Sequence, residues 1–269
     1  MSPQPRVAYD ITVIHDCIVR DTDTFRAFAT KAKKRSLYRE RRKLLDRHPG
    51  IKSMIDVAFV RSLDEKRGVY VAKVGWLPAE MVMTDERIRE MCRNLFTLPA
   101  PYTEKTGISY GCCPGREKLS ACPPYSFTAQ ETRTRLNEAD IFIAIQSRLF
   151  VDPPEIRGWQ DILVTKMKKA IEKAAGEGSV TAAFGAGPCQ LCLPNPCLGG
   201  GECRSPEHRV FALEASGIPV LQLSRDMALL SGDKDWEIRF SKCFGTPRQT
   251  RKEWKITFGL AVKLKEGAV

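Results

Sequence analysis

The chain has 269 residues, a formal net charge of +11 and a hydrophobic fraction of 43%. These values are those of an ordinary globular protein with a sizeable core, so no metal is needed merely to compensate for small size. The longest apolar stretches, such as residues 141–145, have the length of a strand and are too short to span a membrane. The basic charge can attract nucleic acid, acidic proteins or phosphorylated ligands, and it does not choose among them.

The first third of the chain predicts a small α/β region, residues 1–98. Its predicted elements are a strand at 6–15, a helix at 22–46, strands at 53–61 and 68–76, and a helix at 85–95. The proline-containing run at 98–101 marks the predicted boundary.

The predicted helix at 22–46 carries a dense basic run. Six of its basic residues are candidates for binding anions: Lys33, Lys34, Arg35, Arg39, Arg41 and Arg42. One hypothesis is that they bind the phosphates of nucleic acid or an acidic protein surface. The hypothesis we favour is a solvated helix face with Phe28, Leu37 and Leu44 turned inward, because Tyr38 is the one aromatic residue interleaved with the charges.

Residues 99–269 predict a cysteine-rich α/β region. Its predicted elements are helices at 128–139, 159–175 and 205–217 and strands at 140–147, 180–184, 218–223 and 254–263. Ser205 as cap and Pro206 at the first helical position start the third of these helices. The alternation predicts an α/β fold with a mixed sheet sandwiched by helices, and with two Pro/Gly-rich cysteine loops that hold a metal cofactor.

The ten cysteines are clustered. Three of them lie in a first cysteine loop (residues 109–125) and four in a second cysteine loop (residues 187–203), whereas Cys17, Cys92 and Cys243 are scattered. The chain starts without an apolar signal segment, so we expect a cytoplasmic protein. In a reducing compartment, clustered thiols indicate metal or redox chemistry.

The second cysteine loop has the spacing C-x2-C-x4-C-x5-C, formed by Cys189, Cys192, Cys197 and Cys203. Prolines stiffen the loop and Gly199–Gly201 are expected to form tight corners. One C-x2-C pair followed by single cysteines favours a [4Fe–4S] cluster, and tetrahedral zinc is the alternative. A helix beginning at Ser205 would point its N-terminus at the cluster, and His208 would be an outer donor or a solvated histidine.

The first cysteine loop offers Cys112, Cys113 and Cys122. Adjacent cysteines diverge, so one of Cys112 and Cys113 is a spectator or serves another site. Cys92 completes a closed cluster in one hypothesis, and one iron stays open for a small substrate in another. In a third, the two loops share a single cluster or zinc ion. One or two clusters are therefore expected.

Several blocks together resemble a family of uncharacterised predicted metal-binding proteins. They are Cys122-Pro123-Pro124-Tyr125, Gly187-Pro188-Cys189-Gln190-Leu191-Cys192, Cys203-Arg204-Ser205-Pro206-Glu207 and Glu214-Ala215-Ser216-Gly217-Ile218-Pro219-Val220. The resemblance covers about residues 90–262 and implies cysteine-bound metal, with iron–sulfur in a redox or sulfur-related setting. The adjacent Cys112 and Cys113 depart from the separated cysteines of that family, which leaves the ligands of the first loop open.

The function predicted from these features is that of an iron–sulfur redox protein. It would transfer electrons, or reduce a small substrate at an open iron, with a redox protein or enzyme complex as partner. The alternatives are an assembly component of a larger anaerobic redox complex and a zinc-stabilised module that binds nucleic acid or protein. Whether the protein is an enzyme is left open, nucleic acid is the less favoured partner, and no membrane partner is expected.

Overall fold

The computed structural model describes residues 31–62, 70–94, 117–149, 157–185, 189, 191–192, 197–236 and 254–265. Its helices are α1 (Lys31–Arg47), α2 (Ile51–Ser62), α3 (Glu86–Asn94), α4 (Ala129–Asn137), α5 (Arg157–Ala175) and α6 (Val220–Ser231). Its strands are β1 (Tyr70–Pro78), β2 (Ile141–Leu149), β3 (Val180–Gly185), β4 (Phe211–Ala212) and β5 (Trp254–Val262). The strand predicted at 6–15 lies outside the described residues.

These strands form one mixed sheet in the order β1-β2-β5-β3-β4. β2 is antiparallel to both β1 and β5, and β5 is antiparallel to β3. β3 and β4 are parallel, with Phe184 opposite Phe211. The predicted α/β class with a mixed sheet is therefore confirmed.

Residues of β2 alternate between two cores, one on each face of the sheet, as the period of two along a strand requires. Ile141, Ile143 and Ile145 enter the first core, where α2 and α5 supply the opposing side chains. Phe142 and Ala144 enter the second core, which α6 covers. Helices consequently lie on both faces of the sheet.

The basic helix α1 contributes to both cores. Leu37 is fully buried in the second core and Leu44 is 4% exposed in the first. Arg41 lies over the Trp76 ring at 4.5 Å, and burial lowers the pKa of its guanidinium. Arg39 and Arg42 are exposed, whereas the side chains of Lys33, Lys34 and Arg35 lie outside the described residues. The inward apolar face agrees with the favoured hypothesis for this helix.

The strand predicted at 53–61 is wrong, because this segment is helix α2. Its buried residues are Ile51, Met54, Ile55, Ala58 and Phe59, which follow the i, i+3, i+4, i+7 pattern of a helix. That helical period, and not the alternation of a strand, describes which residues of the segment are buried. Packing of this face against the sheet supplies the stability that propensity alone does not.

Two predictions near the second cysteine loop are also wrong. The helix predicted at 205–217 is replaced by short 3-10 turns, Pro206–His208 and Glu214–Ser216, on either side of β4. The backbone between these turns forms β4, which pairs with β3 and is therefore not helical. The strand predicted at 218–223 lies in α6, which begins after Pro219. A short apolar run does not by itself distinguish a buried strand from a buried helix.

The remaining predicted elements are confirmed where the chain is described. They are the strands at 68–76, 140–147, 180–184 and 254–263, the helices at 85–95, 128–139 and 159–175, and the helix at 22–46 from residue 31 onward. The boundary predicted after residue 98 falls between β1 and β2, which pair along nine residues, and it stays a prediction. No helix within the described segments has the length and apolarity needed to cross a membrane.

Candidate metal centre

The second cysteine loop begins where β3 ends, at the carboxyl end of that strand. The carbonyl of Gly185, the last residue of β3, accepts a hydrogen bond from the Leu213 backbone N–H at 3.1 Å. At the start of the loop, Cys189 and Leu191 pack against the first core. The loop therefore starts from a fixed position at the edge of the sheet.

Cys197 contacts two further thiols of this loop. The thiols of Cys192 and Cys203 both form hydrogen bonds with the sulfur of Cys197. All three side chains are partly exposed, and none of them is in a disulfide. The fold thus brings together sulfurs that are separated by five and six positions in the chain.

Hydrogen bonds from several neighbouring groups favour the thiolate form of Cys197. The backbone N–H of Arg204 lowers the pKa of Cys197, and the Arg204 guanidinium and the thiols of Cys192 and Cys203 lower it further, against the effect of burial. Burial raises the pKa of Cys192, and the hydrogen bond from its thiol to Cys197 raises it again. A thiolate is the form that binds metal, so these hydrogen bonds favour the metal-binding form of the Cys197 sulfur.

The two cysteine loops are joined by backbone pairing. Leu119 and Leu198 form an isolated antiparallel bridge. The Ser120 N–H donates to the Cys197 carbonyl at 3.1 Å, and the Gly199 N–H donates to the Lys118 carbonyl at 2.9 Å. The described part of the first loop is therefore a direct neighbour of the second.

Cys122 lies in a tight turn next to this bridge. Its N–H donates to the Leu119 carbonyl at 3.0 Å, and its carbonyl accepts from the N–H groups of Tyr125 and Ser126 at 2.9 and 3.0 Å. The side chain is 4% exposed. The peptide bond between Pro123 and Pro124 is cis. The Cys-Pro-Pro segment is thus held in one compact conformation.

Arginines from two elements hold the same turn. Arg89 on α3 donates to the Pro124 carbonyl at 3.1 Å and pairs with Glu86 at 2.7 Å. Arg209 donates to the carbonyls of Ser120 and Tyr125, the latter at 3.1 Å. Three carbonyls of the turn, those of Ser120, Pro124 and Tyr125, therefore accept charge-assisted hydrogen bonds from arginine.

Glycines let the loops approach closely. Of the three glycines expected at tight corners, Gly200 has a positive φ of 75°. Gly199 instead allows a close approach of the two loops, because a Cβ atom at this position would overlap the Tyr125 ring. The Tyr125 ring accordingly lies directly against the backbone of the second loop at Gly199.

The segment that follows Cys203 is anchored to α5. Lys168 donates to the Glu207 carbonyl at 2.5 Å. The turn Pro206–His208 has three residues, so it does not supply the helix N-terminus that was expected to face the cluster, and Ser205 makes no capping hydrogen bond. His208 is partly exposed, with its Nε2 atom 3.7 Å from a Glu207 oxygen.

Several predicted ligands cannot be compared with the structure. Cys112 and Cys113 lie outside the described residues, as does the side chain of Cys92. Within the ranges that are described, no three side chains of His, Cys, Asp and Glu have the arrangement of a bound metal ion. The donor chemistry of Cys192, Cys197 and Cys203 nevertheless fits a thiophilic metal, since the three sulfurs interact and one of them accepts backbone and guanidinium hydrogen bonds.

Sequence reasoning missed the two arginines that serve this site. Arg204 had a signal, because it directly follows Cys203 in the Cys-Arg-Ser-Pro-Glu block. Arg209 had none, because its contacts are with carbonyls more than eighty residues earlier in the chain. The pairing of the two loops likewise depends on the fold and not on a local pattern.

Comparisons with known proteins agree with a metal site in this part of the chain. No curated protein and no solved structure matches the chain. One family model does match, over residues 107–233, a segment that includes both cysteine loops but neither Cys92 nor α1. The resemblance inferred from the cysteine motifs is thereby confirmed for this segment, which is similar to the family described as "Predicted metal-binding protein (DUF2284)".

Proposed function

We propose that the protein is an iron–sulfur redox protein whose [4Fe–4S] cluster is bound through the second cysteine loop. The observation that carries the proposal is the environment of Cys197. Its sulfur accepts hydrogen bonds from the backbone N–H and the guanidinium of Arg204, beside two further thiols. Hydrogen bonds to cysteine sulfur stabilise the negative charge of such clusters and tune their reduction potential.

Iron–sulfur is favoured over zinc by the composition of the loop. Structural zinc sites are commonly built from two separate C-x2-C pairs, whereas this loop has one pair followed by single cysteines. An iron–sulfur cluster accepts and releases single electrons, which is the chemistry that we assign to this protein. The chain's own residues would hold the sulfurs, and Arg204 would offset part of the cluster's negative charge.

The surface around the second loop would permit exchange of electrons with a partner. Leu198, the residue after Cys197, is 67% exposed, and Tyr125 beside Gly199 is 38% exposed. A cluster held by partly exposed cysteines next to such residues would lie close to solvent. We therefore propose a redox protein or enzyme complex as partner, and the +11 charge favours one with an acidic surface.

Anaerobic purification followed by analysis of iron, zinc and acid-labile sulfide tests this proposal. We expect iron and sulfide in comparable amounts, and an EPR signal after reduction with dithionite. A protein that contains stoichiometric zinc and no sulfide would identify the site as a structural zinc site. A colourless protein without either metal would overturn the proposal altogether.

Two serine variants assign the metal to the loop. Cys197→Ser is expected to lose most of the iron, because it removes the sulfur on which the hydrogen bonds converge. Cys243→Ser is the matched control, since Cys243 lies outside both loops. Equal iron content in the two variants would show that the metal is bound elsewhere.

A further inference from the structure

We propose that Arg209 is a positioning residue that fixes the first cysteine loop against the second, so that retention of metal by the second loop depends on the first. This inference rests on the proposed function, since it concerns the metal that the loops bind. It is carried by a continuous set of contacts that runs from β4 through both loops to Cys197.

Arg209 forms hydrogen bonds with two backbone carbonyls of the first cysteine loop. Its guanidinium donates to the carbonyls of Ser120 and Tyr125, which lie on either side of Cys122 in the turn. Both hydrogen bonds come from the Nη2 atom, whose two N–H groups have fixed directions in the guanidinium plane. A lysine ammonium keeps the charge, but its side chain is shorter and its N–H groups are not held in a plane.

Ser120 connects Arg209 to Cys197 through backbone hydrogen bonds. The residue whose carbonyl binds Arg209 donates its own N–H to the Cys197 carbonyl at 3.1 Å. The bridge between Leu119 and Leu198 continues the pairing on one side. The backbone position of Cys197 is therefore tied to the first loop.

Contact with an aromatic ring of β4 anchors Arg209 to the sheet. Its guanidinium lies 4.5 Å from the centre of the Phe211 ring, and Phe211 belongs to β4. The Phe211 ring stacks on Phe127 at 4.0 Å, just beyond the turn. Arg209 is thus held by the fold itself, which a residue that orients metal ligands requires.

A second contact between the loops is made by the ring of Tyr125, whereas Arg209 binds the carbonyl of that residue. Tyr125 lies against Gly199, where a Cβ would overlap its ring, while a Cβ at Gly201 would meet nothing nearer than the Leu198 carbonyl at 3.5 Å. Gly199→Ala should therefore separate the loops, and Gly201→Ala should not. This pair of variants tests the contact independently of the arginine.

The experiment compares metal release from full-length variants loaded anaerobically with iron and sulfide. The variants are Arg209→Lys and Gly199→Ala, each with a matched control. Arg133→Lys is the control for the first, because Arg133 also donates to two carbonyls, those of Glu80 and Val82, but does so outside the loops. Gly201→Ala is the control for the second. The readouts are the rate of iron transfer to a chelator and the EPR spectrum of the reduced protein, with circular dichroism of the metal-free form as the measure of folding.

We expect Arg209→Lys and Gly199→Ala to release iron about tenfold faster than wild type and to show altered EPR spectra, while both controls resemble wild type. Unchanged release and unchanged spectra in both folded variants would overturn the inference and leave the proposed function standing. A wild-type protein that takes up no iron would overturn both. Should Arg209→Lys fail to fold, the comparison of Gly199→Ala with Gly201→Ala decides.

Discussion

Replacing Glu214 with glutamine is expected to stabilise the protein above neutral pH and to have no effect on stability in acid. Glu214 begins the 3-10 turn that packs against α3, between the buried residues Leu213 and Ala215. Burial raises the pKa of the Glu214 carboxyl from 4.5 to about 7, and the hydrogen bond from its own N–H offsets only part of that effect. The folded state therefore prefers the protonated form.

The sign of the pH dependence follows from this preference. Between pH 4.5 and about 7, the folded state holds a proton that the unfolded chain has released, so the free energy of unfolding falls as the pH rises through that window. The full change in pKa corresponds to at most about 3 kcal/mol. The Glu214 side chain keeps some contact with water, so the full effect is not expected. At alkaline pH the free energy of unfolding of Glu214→Gln should exceed that of wild type by about 1 to 2 kcal/mol.

Urea unfolding of wild type and Glu214→Gln, followed from about pH 5 to about pH 8, measures this effect. Glu177→Gln is the control, because Glu177 is exposed in the turn after α5. The two free-energy curves of wild type and Glu214→Gln should converge in acid and separate as the pH rises. A constant difference at every pH, or no gain at alkaline pH, would refute the reasoning.

Three further substitutions test how the scaffold of the site is held. Thr128→Ala breaks the capping box of α4, in which Thr128 and Glu131 each accept the other's backbone N–H, and should lower the free energy of unfolding by about 1 kcal/mol. Gly259→Ala places a methyl group 2.5 Å from carbons of the Phe142 ring and should cost about 1 to 3 kcal/mol, seen as a lower thermal midpoint. Leu37→Ala empties a fully buried position and should cost about 2 to 5 kcal/mol in urea unfolding; a negligible loss would contradict the inward face assigned to α1.

Much of the fold could be predicted because the hydrophobic pattern of the central elements is unambiguous. The run from Ile141 to Ile145 is apolar at every position, as expected of a strand that is buried on both faces. In the structure β2 lies between β1 and β5 in the sheet. In α2 the helical period of the buried residues was present in the sequence, although a strand was predicted for this segment. At α6 the short apolar run after Gly217 was ambiguous, and eight of the twelve residues of the helix are buried, which leaves only a narrow solvent-facing stripe.

The candidate site was predictable in its residue types and less so in its geometry. Cysteine spacing identified Cys192, Cys197 and Cys203, which the fold brings into contact. The bridge between Leu119 and Leu198 could not be predicted, because it joins segments far apart in the chain through a single pair of residues. Arg209 was missed for a similar physical reason. Its partners are backbone carbonyls far away in the chain, and because every residue has a carbonyl, no residue type indicates the contact.

Iron X-ray absorption of the anaerobically purified protein tests the central claim most directly, because it reports the atoms that surround the metal. A cluster bound by the second cysteine loop predicts sulfur as the nearest neighbour of iron and a second shell of iron. Cys197→Ser should then lower the iron content on which the signal depends. Iron surrounded by oxygen or nitrogen, or zinc in its place, would contradict the account.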